Sequence, residues 1–262
     1  MLKNVVLGLL AVVTMAAPAG ADLHYTMHTE ARQIPTTEPV NPMSGMGADM
    51  LTRTMFPDGP SDSNYWVTEK GIRVELTKGN ALMPAGAVLL QLGDGTMVVL
   101  NPSEKTYWKI AMPPLPTVLA GLSQMQPEGS VVHSGKFDVI AGIRAEQVTS
   151  TVTMQIPAAP VGAPPDMPTS ITITTDTWSS DQYANYAAFS HAMAATFGLG
   201  GFIPEGFTLK SIVRNSFMSG FEIESIVTSI KEEPAPADAL EIPADYKEAS
   251  APASLGRPGQ SR

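Results

Sequence analysis

Apolar and polar residues alternate along much of the chain, and the period of that alternation changes in two places. In "DLHYTMHTEAR", Leu23, Tyr25 and Met27 alternate with His24, Thr26 and His28, a period of two that predicts a strand. "YWVTEKGIRVELTKG" puts Ile72, Val74 and Leu76 on one face and Arg73 and Glu75 on the other. "AVLLQLGDGTMVVL" is two β-rich runs around Asp94-Gly95, a dipeptide suited to a tight hairpin because glycine tolerates positive φ. "TMVVLNPSEKTYWKI" adds a second hairpin, and Pro102, which has no N–H to give a ladder, belongs in its turn. Tyr107 and Trp108 are adjacent on the returning strand, so they face opposite sides. "KFDVIAGIRAEQVTSTVTMQI", "SITITTDTW", "FTLKSIVRN" and "FEIESIVTSIKEE" supply the remaining strands, each beside its sequence neighbour in a meander.

The period lengthens in two segments. Leu115, Val118, Leu119, Leu122 and Met125 recur at helical spacing, and Pro127 helps end that run. In "SSDQYANYAAFSHAMAATFGLGG", Ser179 or Ser180 can accept backbone N–H bonds at a helix start, and Gly198 suits its end. Tyr186, Phe189, Met193 and Phe197 then form one apolar stripe. Few amphipathic helices set among meander strands predict an α+β fold. Its form is a curved antiparallel sheet with the helices across the concave face. Residues 35–60 and 157–168 are rich in Pro, Gly or Met without a period and predict loop inserts in a single domain spanning 22–248. Residues 249–262 predict a disordered tail.

The first 21 residues stand apart. Lys3 precedes an apolar run from Val5 to Val13, and small residues end at Ala19-Gly20-Ala21, the layout of a cleaved secretory signal. The run is shorter than the roughly 20 residues that span a bilayer. Cleavage after Ala21 places the mature chain in the periplasm or outside the cell. The chain has no Cys, so its fold relies on packing and no thiol nucleophile is available. Its formal net charge of −9 becomes −10 once Lys3 is removed. An acidic chain without a Lys/Arg cluster argues against nucleic acid and against docking on anionic lipid.

"GIRVEL" (71–76), "MVVLNPSEKTYWKI", "AGIRAEQVTST" (141–151), "DTWSS" (176–180) and "ALEIPADYKE" (239–248), in that order, carry a resemblance. The chain resembles a bacterial exported family known mainly as a domain of unknown function, itself related to the periplasmic lipoprotein-carrier half-barrels. The resemblance implies an unclosed antiparallel barrel capped by helices. In the carriers the cavity holds acyl chains, which makes an apolar small molecule or lipid the implied partner. The Met-rich insert and the Pro-rich loop depart from the carriers, and no ligand-gating residue of theirs maps onto a position here.

The chemistry-bearing residues are sparse. None of His24, His28, His133 and His191 stands in an H-E-x-x-H pattern, and "MSGMG" is not the G-x-S-x-G of a nucleophile elbow. Glu222 and Glu224 share a strand face, but Phe221 and Ile223 take the other, so the two carboxylates are expected to face water. These residues predict neither an enzyme nor a cofactor. His24, Met27 and His28, followed by Met43, Met46, Met50 and Met55, form a soft donor set of the kind that favours Cu(I). Against it, His24 and His28 share a strand face that Met27 does not. The aromatic and Met candidates for ligand contact are Trp108, Tyr186, Phe189, Met193 and Phe197. Each reads equally as an anchor of a filled core. A non-enzymatic carrier of an apolar ligand and a structural or protein-interaction module of the envelope are therefore the two leading readings.

Overall fold

A computed structural model describes residues 22–35, 52, 56–79, 83–93, 96–110, 127–155, 169–187, 200–216 and 220–250. Twelve strands account for most of them: β1 (Leu23–Gln33), β2 (Ser61–Thr68), β3 (Gly71–Leu76), β4 (Val88–Leu92), β5 (Met97–Asn101), β6 (Thr106–Ile110), β7 (Glu128–Ile140), β8 (Ile143–Gln155), β9 (Ser170–Ser180), β10 (Phe207–Asn215), β11 (Phe221–Glu232) and β12 (Lys247–Glu248). The chain divides into two compact units. One holds β2–β6 and β12; the other holds β7–β10. The first also takes residues 23–30 of β1 and 228–232 of β11, and the second takes the remaining residues of both strands.

Within the β2–β6 unit the strand order is β12-β6-β5-β4-β3-β2-β1-β11, and within the β7–β10 unit it is β1-β11-β10-β9-β8-β7. Neither order closes on itself. The registered pairs are antiparallel except β12 with β6, which is parallel. The fold is thus a mostly antiparallel open sheet, as the period-two runs predict.

Turn chemistry fixes the register. Ala141 and Gly142 both have positive φ (51° and 82°), and they join Ile140 to its partner Ile143 in a two-residue hairpin loop. Gly71 (φ 154°) lies against β4, where an added Cβ would run into the backbone carbonyl of Gln91. Among the described residues β7 pairs with β8 alone, and three devices interrupt its other edge. The β7–β8 register shifts between His133 and Phe137, Lys136 brings a charge, and the Asp138 carboxylate accepts the N–H of Val139.

Of the two expected helices only the start of the second falls among the described residues, and residues 188–199 lie outside them. β9 continues through Ser179 and Ser180, so neither residue precedes a helix by several positions. A kinked 3-10 helix, Asp181–Ala187, follows at once, and the Ser180 hydroxyl accepts the N–H of Gln182 at 3.4 Å. A single 3-10 turn spans Gly200–Phe202. No α-helix lies across a sheet face among the described residues, and none there is long and apolar enough to cross a membrane. The leader (1–21), the helix expected near 115–125, the Asp94-Gly95 turn, the 157–168 insert, most of the 35–60 insert and the tail beyond Ser250 lie outside the described residues.

Candidate functional site

Directly paired residues on neighbouring strands share a sheet face, so the register defines two faces of the β2–β6 unit. One carries Leu23, Tyr25 and Met27 from β1, and Ser63, Tyr65 and Val67 from β2. β3 adds Ile72, Val74 and Leu76, β4 adds Leu89 and Gln91, β5 adds Met97 and Val99, and β6 adds Trp108 and Ile110. By the same register Thr29, Ser61, Ser63, Gln91, Asn101 and Thr106 interrupt this apolar and aromatic surface, and no Lys or Arg of these paired positions falls on it. Most of its side chains are half-buried.

Trp108 lies on β6, at the β6 end of that face. It is 4% exposed and clusters with Ala87 and Val99, against which Leu76, Met83, Leu89 and Ile110 pack. Its indole Nε1–H is buried without a hydrogen-bond partner. Buried indoles normally find an acceptor, and an orphaned donor costs about 1–3 kcal/mol. Toward the other end, Tyr25 stacks on Tyr65 with ring centroids 4.5 Å apart and planes 4° from parallel. Burial pushes the Tyr65 phenol up to about 12. Burial also raises Tyr25, and a charge on Tyr65 would raise it further. This surface therefore penalises negative charge.

The opposite face is occupied by the chain itself. Val88, Leu90, Val98 and Leu100 form a buried cluster against which Leu92, Tyr107, Ile242 and Tyr246 pack. Arg73 donates to the carbonyl of Ala239 at 3.0 Å, Lys105 pairs with Asp245 at 2.7 Å, and the Tyr107 hydroxyl donates to Glu248 at 3.0 Å. The "EIPADYKE" segment is thus a strap across β4–β6, and Tyr107 meets it while Trp108 points the other way.

The candidate metal donors do not converge. His24 lies on the strap's face, stacked on Trp66 at 4.0 Å and bonded through Nδ1 to Glu233 at 2.8 Å. His28 bonds through Nδ1 to Asp62 at 2.7 Å, and Met27 takes the Trp108 face. Among the described residues no three His, Asp or Glu side chains gather in a metal-binding group. Met43, Met46, Met50 and Met55 lie outside them.

In the β7–β10 unit, Tyr186 is buried beside Tyr183, whose ring meets that of Phe207 edge-on at 6.1 Å. Trp108 and Tyr186 belong to different units, and Phe189, Met193 and Phe197 lie outside the described residues. One face of this unit carries an ionic ladder. Arg214 donates to Asp176 at 2.7 Å and to Glu222 at 3.0 Å, while Glu224 receives Arg32 at 2.8 Å and Lys210 at 3.4 Å. Glu222 and Glu224 are 8% and 7% exposed, so they do not face water as their alternation suggested. Their cationic partners make that burial tolerable. Burial would raise the Asp176 carboxyl, but hydrogen bonds from Thr149 and Arg214 and the guanidinium charge outweigh it and hold it below the ordinary carboxylate range. On the other face the Ser150 hydroxyl is buried without a partner, near buried Val148 and Thr177. The sequence carried a signal for the Tyr25–Tyr65 stack in two period-two runs, but nothing marked Ser150.

No curated protein matches the sequence. Among solved structures, the Pseudomonas aeruginosa MucA/MucB complex is similar at 12% identity with a TM-score of 0.41, over 93% of this chain and 61% of that one. A LolA superfamily protein from Nitrosomonas europaea is similar at 9% identity with a TM-score of 0.31, over 91% and 96% of the two chains. LprF from Mycobacterium bovis is similar at 11% identity with a TM-score of 0.29, over 93% and 96%. The present chain therefore spans less than two thirds of the MucA/MucB chain that it matches. Over residues 48–246, most of the chain including β2–β11 and the strap as far as Tyr246, the sequence matches a domain of unknown function, and the protein belongs to that family, DUF4412.

Proposed function

We propose that the protein is an exported, non-enzymatic carrier that holds an apolar ligand, a lipid or acyl chain, on the Trp108 face of its β2–β6 unit. The observation that carries this reading is the face itself. Its side chains are mostly apolar or aromatic across five consecutive strands, most are half-buried, and its one fully buried indole has a donor without a partner among the described residues. The opposite face is supplied with its own cover by the strap, which makes the contrast between the two faces informative. Export rests on the first 21 residues, whose charged start, short apolar run and Ala-Gly-Ala end form a cleavable signal.

A second reading has its own support. Val99 and Ala87 are fully buried beside Trp108, as in a filled core, and a filled core suits a structural or protein-interaction module of the envelope. Native mass spectrometry of the protein purified from its own periplasm without detergent separates the two. The carrier reading expects a co-purifying lipid mass. The bare chain alone contradicts it and favours the structural module.

A further inference from the structure

We infer that the Trp108 indole N–H is the polar anchor of the apolar site and donates a hydrogen bond to the carbonyl oxygen of a neutral acyl ester. The inference rests on the carrier reading and adds the chemistry of the ligand's oxygen-bearing end. Trp108 can donate but not accept, so its partner is an acceptor. Among the described residues no acceptor reaches Nε1, and the side chains that cluster with Trp108 (Ala87, Val99, Leu76, Leu89, Ile110 and Met83) offer it no oxygen or nitrogen. Met83 is unbranched and adjustable, which makes it the neighbour best able to give way to a ligand atom. A plain hydrocarbon would leave the indole N–H orphaned. An ester would satisfy it while its chain ran along the aliphatic side chains of the face.

The site also selects against the corresponding acid. No Lys or Arg lies on the Trp108 face to pair with a carboxylate, and a desolvated, unpaired carboxylate is costly. A neutral carbonyl needs one donor, and the buried Trp108 Nε1–H can supply it.

The test uses N-phenylnaphthylamine, a neutral apolar fluorescent reporter, with methyl octanoate, octene and octanoate as competitors. In the delipidated wild type, methyl octanoate should displace the reporter at lower concentration than octene or octanoate. Trp108→Phe keeps an aromatic ring and removes the N–H. It should weaken methyl octanoate roughly tenfold, in line with the loss of one hydrogen bond, and leave octene unchanged. An ester-to-octene preference that is the same in wild type and Trp108→Phe overturns the inference while the carrier reading stands. A wild type that never binds the reporter overturns both.

Should Trp108→Phe fail to fold, the wild type labelled with nitrogen-15 serves alone. It has three Trp, and Trp108 is the buried one, so the indole resonance slowest to exchange with solvent reports it. That resonance should move downfield with methyl octanoate and not with octene. A shift that is equal for both, or absent for both while the reporter is displaced, overturns the anchor.

Discussion

Trp108 pairs with Val99, and Val99 pairs with Leu89, across β6, β5 and β4; Asp176 and Arg214, with Glu222 opposite, occupy one face of β9, β10 and β11. Both are neighbouring positions on antiparallel strands, yet they solve burial differently. The apolar run gains from area alone and tolerates any partner of the right size. The ionic ladder works only when every carboxylate finds its cation, because an unpaired buried charge is strongly destabilising. The first arrangement depends on shape and area alone, and the second is committed to its own side chains.

The largest expected effect breaks the apolar side of this comparison. Val99→Asp buries an unpaired carboxylate beside Trp108 and should cost on the order of 4 kcal/mol or more, measured by urea unfolding. A loss below about 1 kcal/mol would mean that Val99 is reached by water.

Arg214→Met breaks the ionic side. It leaves Asp176 and Glu222 buried without their cation and should cost about 2 kcal/mol at neutral pH, less than a fully buried pair because the guanidinium is 36% exposed. The pH dependence follows from Asp176, whose pKa is held below its unfolded value. Its contribution is complete above about pH 4 and is lost as pH falls through the lower, folded value. The gap between wild type and Arg214→Met should therefore narrow in acid. A gap that stays constant from neutral pH to pH 3 contradicts this role.

Deleting the chain from Ala239 onward removes the strap from Leu90, Leu100 and their neighbours. Exposing that cluster should cost about 2 kcal/mol and increase apolar dye binding. Deletion from Ala251 onward removes no contact described above and should leave Tm within about two degrees. An equal loss from the two deletions would show that the strap contributes nothing beyond its tail.

The smallest effect concerns the tyrosines. Tyr65 ionises near 12 in the folded chain, and Tyr25 later still. Since both phenols are raised, the stability they contribute is full below about pH 10 and declines as pH rises through the folded values. A spectrophotometric titration should show the Tyr25 and Tyr65 phenols ionising late, and Tyr107, held up by its hydrogen bond to Glu248, is also displaced upward; all six phenols ionising together near pH 10 would contradict this.

Much of the sheet was legible in the sequence because its signal is local. Period-two runs marked the strands, and the alternation of Tyr107 and Trp108 placed them on opposite faces. The motifs "MVVLNPSEKTYWKI" and "ALEIPADYKE" that carried the family resemblance turn out to touch, through Lys105 with Asp245 and Tyr107 with Glu248. Partnership across strands was not legible, because it depends on register. Glu222 was read from its own strand, where Phe221 and Ile223 pointed away and left it facing solvent. The antiparallel register of β10 and β11 pairs Arg214 with Glu222, and that pairing turns a solvated carboxylate into a buried one. The start of β7 was also missed: its exposed residues from Glu128 to Gly135 carry little apolar alternation, and pairing with β8 extends the strand there. The orphaned indole was beyond any sequence reading, since it depends on which acceptors fail to reach it.

The central claim is that the Trp108 face holds an acyl ligand. The direct measurement is an equilibrium titration of a fluorescent acyl-chain ester into delipidated wild-type protein. The account predicts saturable binding at micromolar concentration, with fluorescence transfer from tryptophan to the probe that is lost in Trp108→Phe and retained in Trp178→Phe. Absence of saturable binding would contradict it.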